Sequence, residues 1–235
     1  ATDAMTLAAA EGIRIIPTTP YLPADELQAI IQAEQPDAII VRQGQLTRAM
    51  IGASAKLKVI AKHGVGYNTI DIQAAAERGV PVTIAMGANA QSVAEHAFAL
   101  MFSVARQTAL LDARMREGHW DKSTANGIEL SGKTLGLIGL GSIGSILMDL
   151  VAPLRMSVKV YDPYLKELPE RAHVEREENL DRLLADCDVI SLHCPLTDSN
   201  HNLIGAPQLA RMRPNSIIIN TARGELIDTA ALVEA

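Results

Sequence analysis

The residues Gly139-Leu140-Gly141-Ser142-Ile143-Gly144 carry a G-x-G-x-x-G spacing whose chemistry is anion binding. Gly139 permits a tight turn, Gly141 presents no side chain to hold a pyrophosphate away from the backbone, and Gly144 lets a helix lie close to a sheet. A helix opening at this point offers unpaired N–H groups and a partial positive charge to phosphates. Asp162 stands eighteen residues past Gly144, at the end of an apolar run. A carboxylate there accepts hydrogen bonds from ribose hydroxyls. A 2′-phosphate ~4 Å away would meet repulsion of about 1–4 kcal/mol per unit charge, so the pattern predicts NAD rather than NADP. The plainer alternative is a structural glycine turn, with Asp162 a solvated strand end.

In open parallel sheets, ligands bind at the carboxyl ends of the strands. Those ends supply the other candidates: Arg42, the turn Lys62-His63-Gly64-Val65-Gly66, Gly87-Ala88-Asn89, His193-Cys194-Pro195 and Thr221-Ala222-Arg223. They are expected to aim into one cleft between two domains. Gly64-Val65-Gly66 reads either as an anion nest suited to a carboxylate or as an ordinary glycine turn. Arg223 reads either as a guanidinium that forks onto a carboxylate and polarises a neighbouring carbonyl, or as a salt-bridge partner of Glu225. Cys194 and Pro195 read as a loop wall touching a cofactor, and Cys194 not as a nucleophile. His63, His96 and His193 read as structural histidines before they read as acids.

The elements that must position these residues follow from patterning. Strands are expected at Ile13–Ile16, Ala38–Val41, Leu57–Ala61, Val82–Ala85, Leu135–Gly139, Val158–Tyr161, Asp188–Leu192 and Ser216–Asn220. Helices are expected at Asp3–Glu11, Pro23–Glu34, Leu46–Ile51, Ile72–Arg78, Ser145–Leu154, Glu178–Ala185 and Ala206–Met212, and from Asp228 onward. This alternation predicts an α/β chain. Residues 1–88 form a smaller, flavodoxin-like parallel domain, and residues 89–235 a Rossmann-type doubly wound parallel sheet. Between them one long helix is expected from Ala90 to about Glu117. Its stretch from Ala97 to Ala105 leaves almost no polar face, as in a helix buried on two sides. One side packs within the subunit and the other meets a second copy in a homodimer, unless it is the central helix of a monomer. The chain opens without Met inside a helix and closes inside another, which predicts residues missing from both ends.

Composition narrows the class. The 235 residues are 48% hydrophobic but only 3% aromatic, which suits aliphatic α/β packing. A net charge of −6 gives no footprint for nucleic acid, and no basic run suggests a membrane surface. No stretch is long and apolar enough to span a bilayer. Cys187 and Cys194 have neither metal-ligand nor redox spacing, so no metal site is expected and the expected compartment is the reducing cytoplasm.

Several blocks together resemble one family. They are His63-Gly64-Val65-Gly66-Tyr67-Asn68-Thr69-Ile70-Asp71, Asn89 with Ser92-Val93-Ala94-Glu95-His96, the run Leu130–Gly144, Tyr161-Asp162-Pro163, Leu192–Thr197 and Asn220–Asp228. In this order they resemble the D-isomer-specific 2-hydroxyacid dehydrogenases, which include phosphoglycerate, hydroxypyruvate, D-lactate and formate dehydrogenases. The resemblance implies NAD-dependent hydride transfer between nicotinamide and a small D-2-hydroxy acid or 2-oxo acid, with 3-phosphoglycerate and hydroxypyruvate as the candidate substrates. It makes Arg223 the catalytic arginine, Gly64 and Val65 the carboxylate turn, and Asn89 a cleft position. Gly66 and Arg42 complete the substrate candidates. Ser142, Ile143, Gly144, Asp162, Cys194, Thr221 and Ala222 match cofactor contacts, joined by Gly139, Gly141 and Pro195. It also makes the helix from Ala90 a dimer contact.

Three positions depart from the family pattern. Asn68-Thr69 stands where Asp-Asn is frequent, and Val65 where a phosphite dehydrogenase carries lysine. The family's glutamate and general-acid histidine are expected beyond residue 235, so this polypeptide is expected to bind neither cofactor nor substrate normally and not to turn over by itself. Two rival functions remain: an NAD-binding dimeric corepressor or sensor of the same fold, and a formate dehydrogenase.

Overall fold

The computed structural model describes residues 2–235, and the chain divides after Met86 into two compact units. The first holds α1 (Thr2–Ala10), α2 (Ala24–Glu34), β1 (Ala38–Val41), α3 (Arg48–Ala53), β2 (Val59–Lys62), α4 (Ile72–Glu77) and β3 (Val82–Ile84). Its strands pair in parallel in the order β1-β2-β3. Strand alternation sends Val41 and Ile60 inward to Ile31, Met50, Ile51, Ile70 and Ala74. On the opposite face Ile40 is 72% exposed. Asp71 starts α4 by accepting from the Ala74 amide at 2.8 Å.

Ile13–Ile16 is not a strand. Ile13, Ile15 and Ile16 are exposed, and no strand among the described residues pairs with the run. Apolar β-branched residues favour extended backbone, but without a neighbouring ladder they do not make a strand.

The second unit holds α5 (Ala90–Ala105), α6 (Thr108–Arg116), β4 (Thr134–Ile138), α7 (Ser142–Val151), β5 (Ser157–Tyr161), β6 (Val174–Arg176), α8 (Leu180–Asp186), β7 (Val189–Leu192), α9 (Ala206–Leu209), β8 (Ile217–Asn220) and α10 (Thr229–Glu234). All five strands are parallel, in the order β6-β5-β4-β7-β8. The chain leaves β4 in one direction for β5 and β6, then returns to the other side for β7 and β8. This is the doubly wound, Rossmann-type order, with its reversal between β4 and β7. Leu135, Leu137, Val158, Val160, Val189 and Ile219 pack with Ala94, Ala97 and Met101 of α5 and Leu147 and Val151 of α7.

The helix expected over 90–117 is two helices. Gln107 adopts φ 51°, a left-handed conformation that no helix continues through. α5 buries one stripe, Ala90, Ala94, Ala97, Met101 and Ala105, rather than two full faces. Phe98 and Phe102 meet edge to face beside it, with ring centroids 5.1 Å apart. α6 buries no residue. The edge strand β6 is a further difference: Val174-Glu175-Arg176 pairs with β5, yet its polar composition gives no strand signal. Among the described residues, no helix is long and apolar enough to cross a membrane.

One glycine inside β4 fixes how closely α8 approaches. A Cβ on Gly136 would lie 2.7 Å from Leu183 Cδ2 and 3.0 Å from both Cys187 Sγ and Ile190 Cδ1. Gly136→Ala therefore overpacks the seat of α8 and lowers the unfolding free energy by about 1–3 kcal/mol. Urea denaturation checks this: the midpoint should fall with the slope unchanged.

Candidate functional site

Strand register sets the site in the second unit. Ile138 pairs with Tyr161 and with Leu192, and Leu192 pairs with Asn220. Gly139, Asp162, His193 and Thr221 are the next residues of their strands, so all four leave the sheet at the same edge. Two main-chain bonds extend the ladder, Gly139 N to Tyr161 O at 2.9 Å and His193 N to Ile138 O at 2.8 Å. This is the carboxyl edge at the topological reversal, where ligands of such sheets bind.

The three glycines of the turn serve different ends. Gly139 has φ 94°, and a Cβ there would also lie 2.9 Å from Cys194 N. The glycine turn thus packs backbone against backbone on the loop after β7. A Cβ on Gly141 would meet nothing within 4 Å, which leaves the open side of the turn free for a phosphate. A Cβ on Gly144 would lie 2.6 Å from Gly139 O. Its smallness therefore lets α7 start directly beneath the turn. Ser142 and Ile143 open α7, whose first turn has neither an acidic residue nor a side-chain cap. Its free N–H groups suit an anion.

Asp162 faces this turn. Its Oδ2 accepts from the Leu140 amide at 3.0 Å and its Oδ1 from the Tyr164 amide at 2.9 Å. The carboxylate is fixed by backbone donors, and each oxygen retains a lone pair for a hydroxyl. Cys194 is half-buried, and burial raises its thiol above the usual range. That disfavours the thiolate a nucleophile needs.

Arg223 follows β8 in extended conformation, with Nη1 donating to Ala222 O at 2.8 Å. Asn220 ties this turn together. Its Oδ1 accepts from Ala222 N at 3.0 Å and its Nδ2 donates to Arg223 O at 2.7 Å. Patterning did not single out Asn220, although an Asn at a strand end is the usual signal of such an Asx turn.

His193 is held from one side. Nε2 lies 2.8 Å from Ser191 Oγ, while Nδ1 is buried with no partner. Thr221 Oγ1 is also buried without a partner. Buried polar atoms ordinarily find partners, so these two orphaned atoms at the nucleotide edge fit a site completed by a polar guest. Together with the open side of Gly141, they fit a bound dinucleotide.

In the first unit, Val41 pairs with Lys62 and Lys62 with Ile84. Arg42 and His63 therefore emerge at that sheet's carboxyl edge. Lys62 Nζ donates to Arg42 O at 2.9 Å. The Gly64–Gly66 turn is fastened by Ala85 N to Gly64 O at 3.0 Å, and Gly64 has φ 131°. Val65 is 38% exposed. Asn89 precedes α5 without a side-chain capping bond.

Two measurements follow. Gly141→Ala should leave stability unchanged and weaken NADH binding tenfold or more, about the loss of one well-made phosphate contact. Gly144→Ala should instead lower stability, because its methyl meets a carbonyl that cannot move alone. Equal effects of the two variants on unfolding would contradict this division. Burial also pushes His193 from its ordinary 6.5 down to about 4. The unfolded chain then binds this proton more readily than the folded one. The stability linked to His193 is complete above pH 6.5 and is lost on acidification toward pH 4, on the order of 3 kcal/mol in all. The difference in pH dependence between the parent and His193→Gln isolates it.

Comparison with known proteins accords with this geometry. The family model for the D-isomer specific 2-hydroxyacid dehydrogenase NAD binding domain matches residues 98–235. The D-3-phosphoglycerate dehydrogenase of Methanocaldococcus jannaschii is 44% identical over 201 residues, 85% of this chain and 38% of the relative. The hydroxypyruvate reductase of Thermotoga maritima is 41% identical over 218 residues, 92% of this chain and 70% of the relative. Among solved structures, the TT0316 protein of Thermus thermophilus superposes with TM-score 0.91 at 33% identity, covering 99% of this chain and 74% of the other. The NAD-dependent formate dehydrogenase of Staphylococcus aureus, in complex with NAD, gives 0.88 at 30% identity, covering 99% and 70%. The chain spans about two fifths of the phosphoglycerate dehydrogenases it matches, 38% of one and 40% of another. From Phe98 to its last residue it carries that family's cofactor domain, so the chain belongs to the D-isomer specific 2-hydroxyacid dehydrogenases, and its cofactor is NAD.

Proposed function

We propose that this chain serves an NAD-dependent oxidoreductase that interconverts a small D-2-hydroxy acid and its 2-oxo acid. The observation that carries the reading is the joining of the glycine turn to Asp162, with Arg223 leaving the same sheet edge. When bound, NAD supplies or accepts the hydride. The amides of Gly141–Gly144 hold its pyrophosphate, and Asp162 holds the adenosine ribose. Cys194 and Pro195 form a wall of the cofactor site, with Thr221 and Ala222 on the β8 side. The Gly64–Gly66 turn takes the substrate carboxylate. Arg223 orients the substrate and stabilises charge on its oxygen. His193, neutral through burial, does not donate the proton.

A phosphorylated substrate, as in 3-phosphoglycerate dehydrogenation, is supported by Arg42, an exposed cation at the tip of β1. The names of the 44% and 41% identical relatives support phosphoglycerate and hydroxypyruvate chemistry. Oxidation of formate is a second reading, resting on the likeness to the Staphylococcus aureus enzyme. We assign a homodimer contact to α5 and α6, where Val104, Leu110 and Met115 are exposed.

NADH consumption should be followed with hydroxypyruvate, 3-phosphohydroxypyruvate and glyoxylate, and NAD reduction with formate. In the oxidoreductase that this chain serves, turnover of the 2-oxo acids is expected; turnover of formate alone would sink the main reading. Asp162→Ala should weaken binding of both cofactors, because the Leu140 and Tyr164 amides lose their acceptor. It should also shift the NADH to NADPH preference toward NADPH by roughly tenfold or more, as the repulsion disappears.

A further inference from the structure

The Cys194 side chain packs against the core cluster that holds Ile190 and Leu192, but the backbone of the Cys194–Pro195 wall has little regular structure to fix it. Residues 193–197 have no regular secondary structure, and Pro195 has no amide to donate. The fastening comes from Asn200. Its Oδ1 accepts from the Thr197 amide at 2.7 Å, its Nδ2 donates to Pro195 O at 2.7 Å, and the same nitrogen lies 4.0 Å from Cys194 Sγ.

Asn200 is itself anchored from the β8 side. Leu203 N donates to Asn200 O at 3.1 Å, Asn202 N to Glu225 O at 2.8 Å and Ile204 N to Leu226 O at 3.0 Å. The last two bonds join this segment to the turn immediately after Arg223. At its other end the wall lies against the glycine turn, at the spot where a Cβ on Gly139 would meet Cys194 N. An unbroken series of bonds and contacts thus runs from the Arg223 turn through Asn200 to the glycine turn. Among the described residues, Asn200 supplies the side-chain hydrogen bond to the wall's backbone in this series.

We infer that Asn200 is a positioning residue of the cofactor site. It sets the height of the Cys194–Pro195 wall over the glycine turn through its bond to the Pro195 carbonyl. This rests on the reading of that edge as the NAD site. The Pro195 bond, rather than the Thr197 bond, carries the effect, because only the first reaches the wall. Asn200→Ala removes both bonds. Asn200→Asp keeps the acceptor for Thr197 N and replaces the donor to Pro195 O with a second acceptor.

Two readouts on the full chain test this. One is NADH binding by fluorescence titration. The other is the alkylation rate of Cys194 by iodoacetamide in the absence of cofactor, mapped by peptide mass. Cys187, fully buried, reports any general unfolding. Both variants should bind NADH about tenfold more weakly and alkylate Cys194 about tenfold faster, the scale of one lost hydrogen bond, with Cys187 unlabelled. Parent-like alkylation and binding in both variants would overturn the inference, and so would a parent-like Asn200→Asp beside an impaired Asn200→Ala. Should Asn200→Ala expose Cys187, Asn200→Asp carries the test. If the parent itself fails to bind NADH, the cofactor reading is what fails, and the Cys194 rates still decide the role of Asn200.

Discussion

The hydrogen bond from the Leu140 amide to Asp162 Oδ2 joins the tip of β5 to the middle of the glycine turn. In the function proposed above, one carboxylate thereby has two duties: it fixes the loop assigned to the pyrophosphate, and it stands at the place assigned to the ribose. The bond exists only because β4 and β5 end level, Ile138 opposite Tyr161. A slip of one residue would reverse the faces of the strand and carry Asp162 away from the turn. The Val158 and Val160 side chains that enforce the register are buried in the core under α7. Packing in the interior therefore fixes polar geometry at the edge.

Backbone proximity is the second constraint. The turn at Gly139 and the loop at Cys194 touch without intervening side chains, and Gly144 brings α7 up beneath Gly139 O. The glycine turn, the helix that continues it and a loop some fifty residues further on converge within a few ångströms, and glycine is what lets them. The same economy operates in the strand below, where Gly136 admits Leu183, Cys187 and Ile190. β4 thus carries a glycine in its body for the helix behind it and another at its tip for the ligand edge.

Much of this was legible in the sequence. Strands β1, β4, β5, β7 and β8 announce themselves as short aliphatic runs, and each is followed by a residue type with evident chemistry. The glycine spacing and Asp162 are short-range signals read against a known mechanical demand. What escaped depends on longer-range partners. Ile13–Ile16 has the composition of a strand, but composition does not supply a neighbour. Gln107 is a good helix former forced left-handed where the chain leaves α5, and no local preference foretells that. β6 is polar because it lies at an edge. Asn200 resembles any loop asparagine until the carbonyl it holds is in place, whereas Asn220 carries the strand-end signal of an Asx turn.

The first unit's sheet has a different consequence. Among the described residues no strand pairs with the outer side of β1, and Ile40 stands bare on the face beside it. An open row of amides and carbonyls with an oily neighbour is a template on which any extended peptide from another molecule can lie down. Among the described residues the second sheet also ends in unpaired edges, at β6 and β8; what sets β1 apart is the bare isoleucine beside its open ladder, so self-association by strand addition is expected there as protein concentration rises.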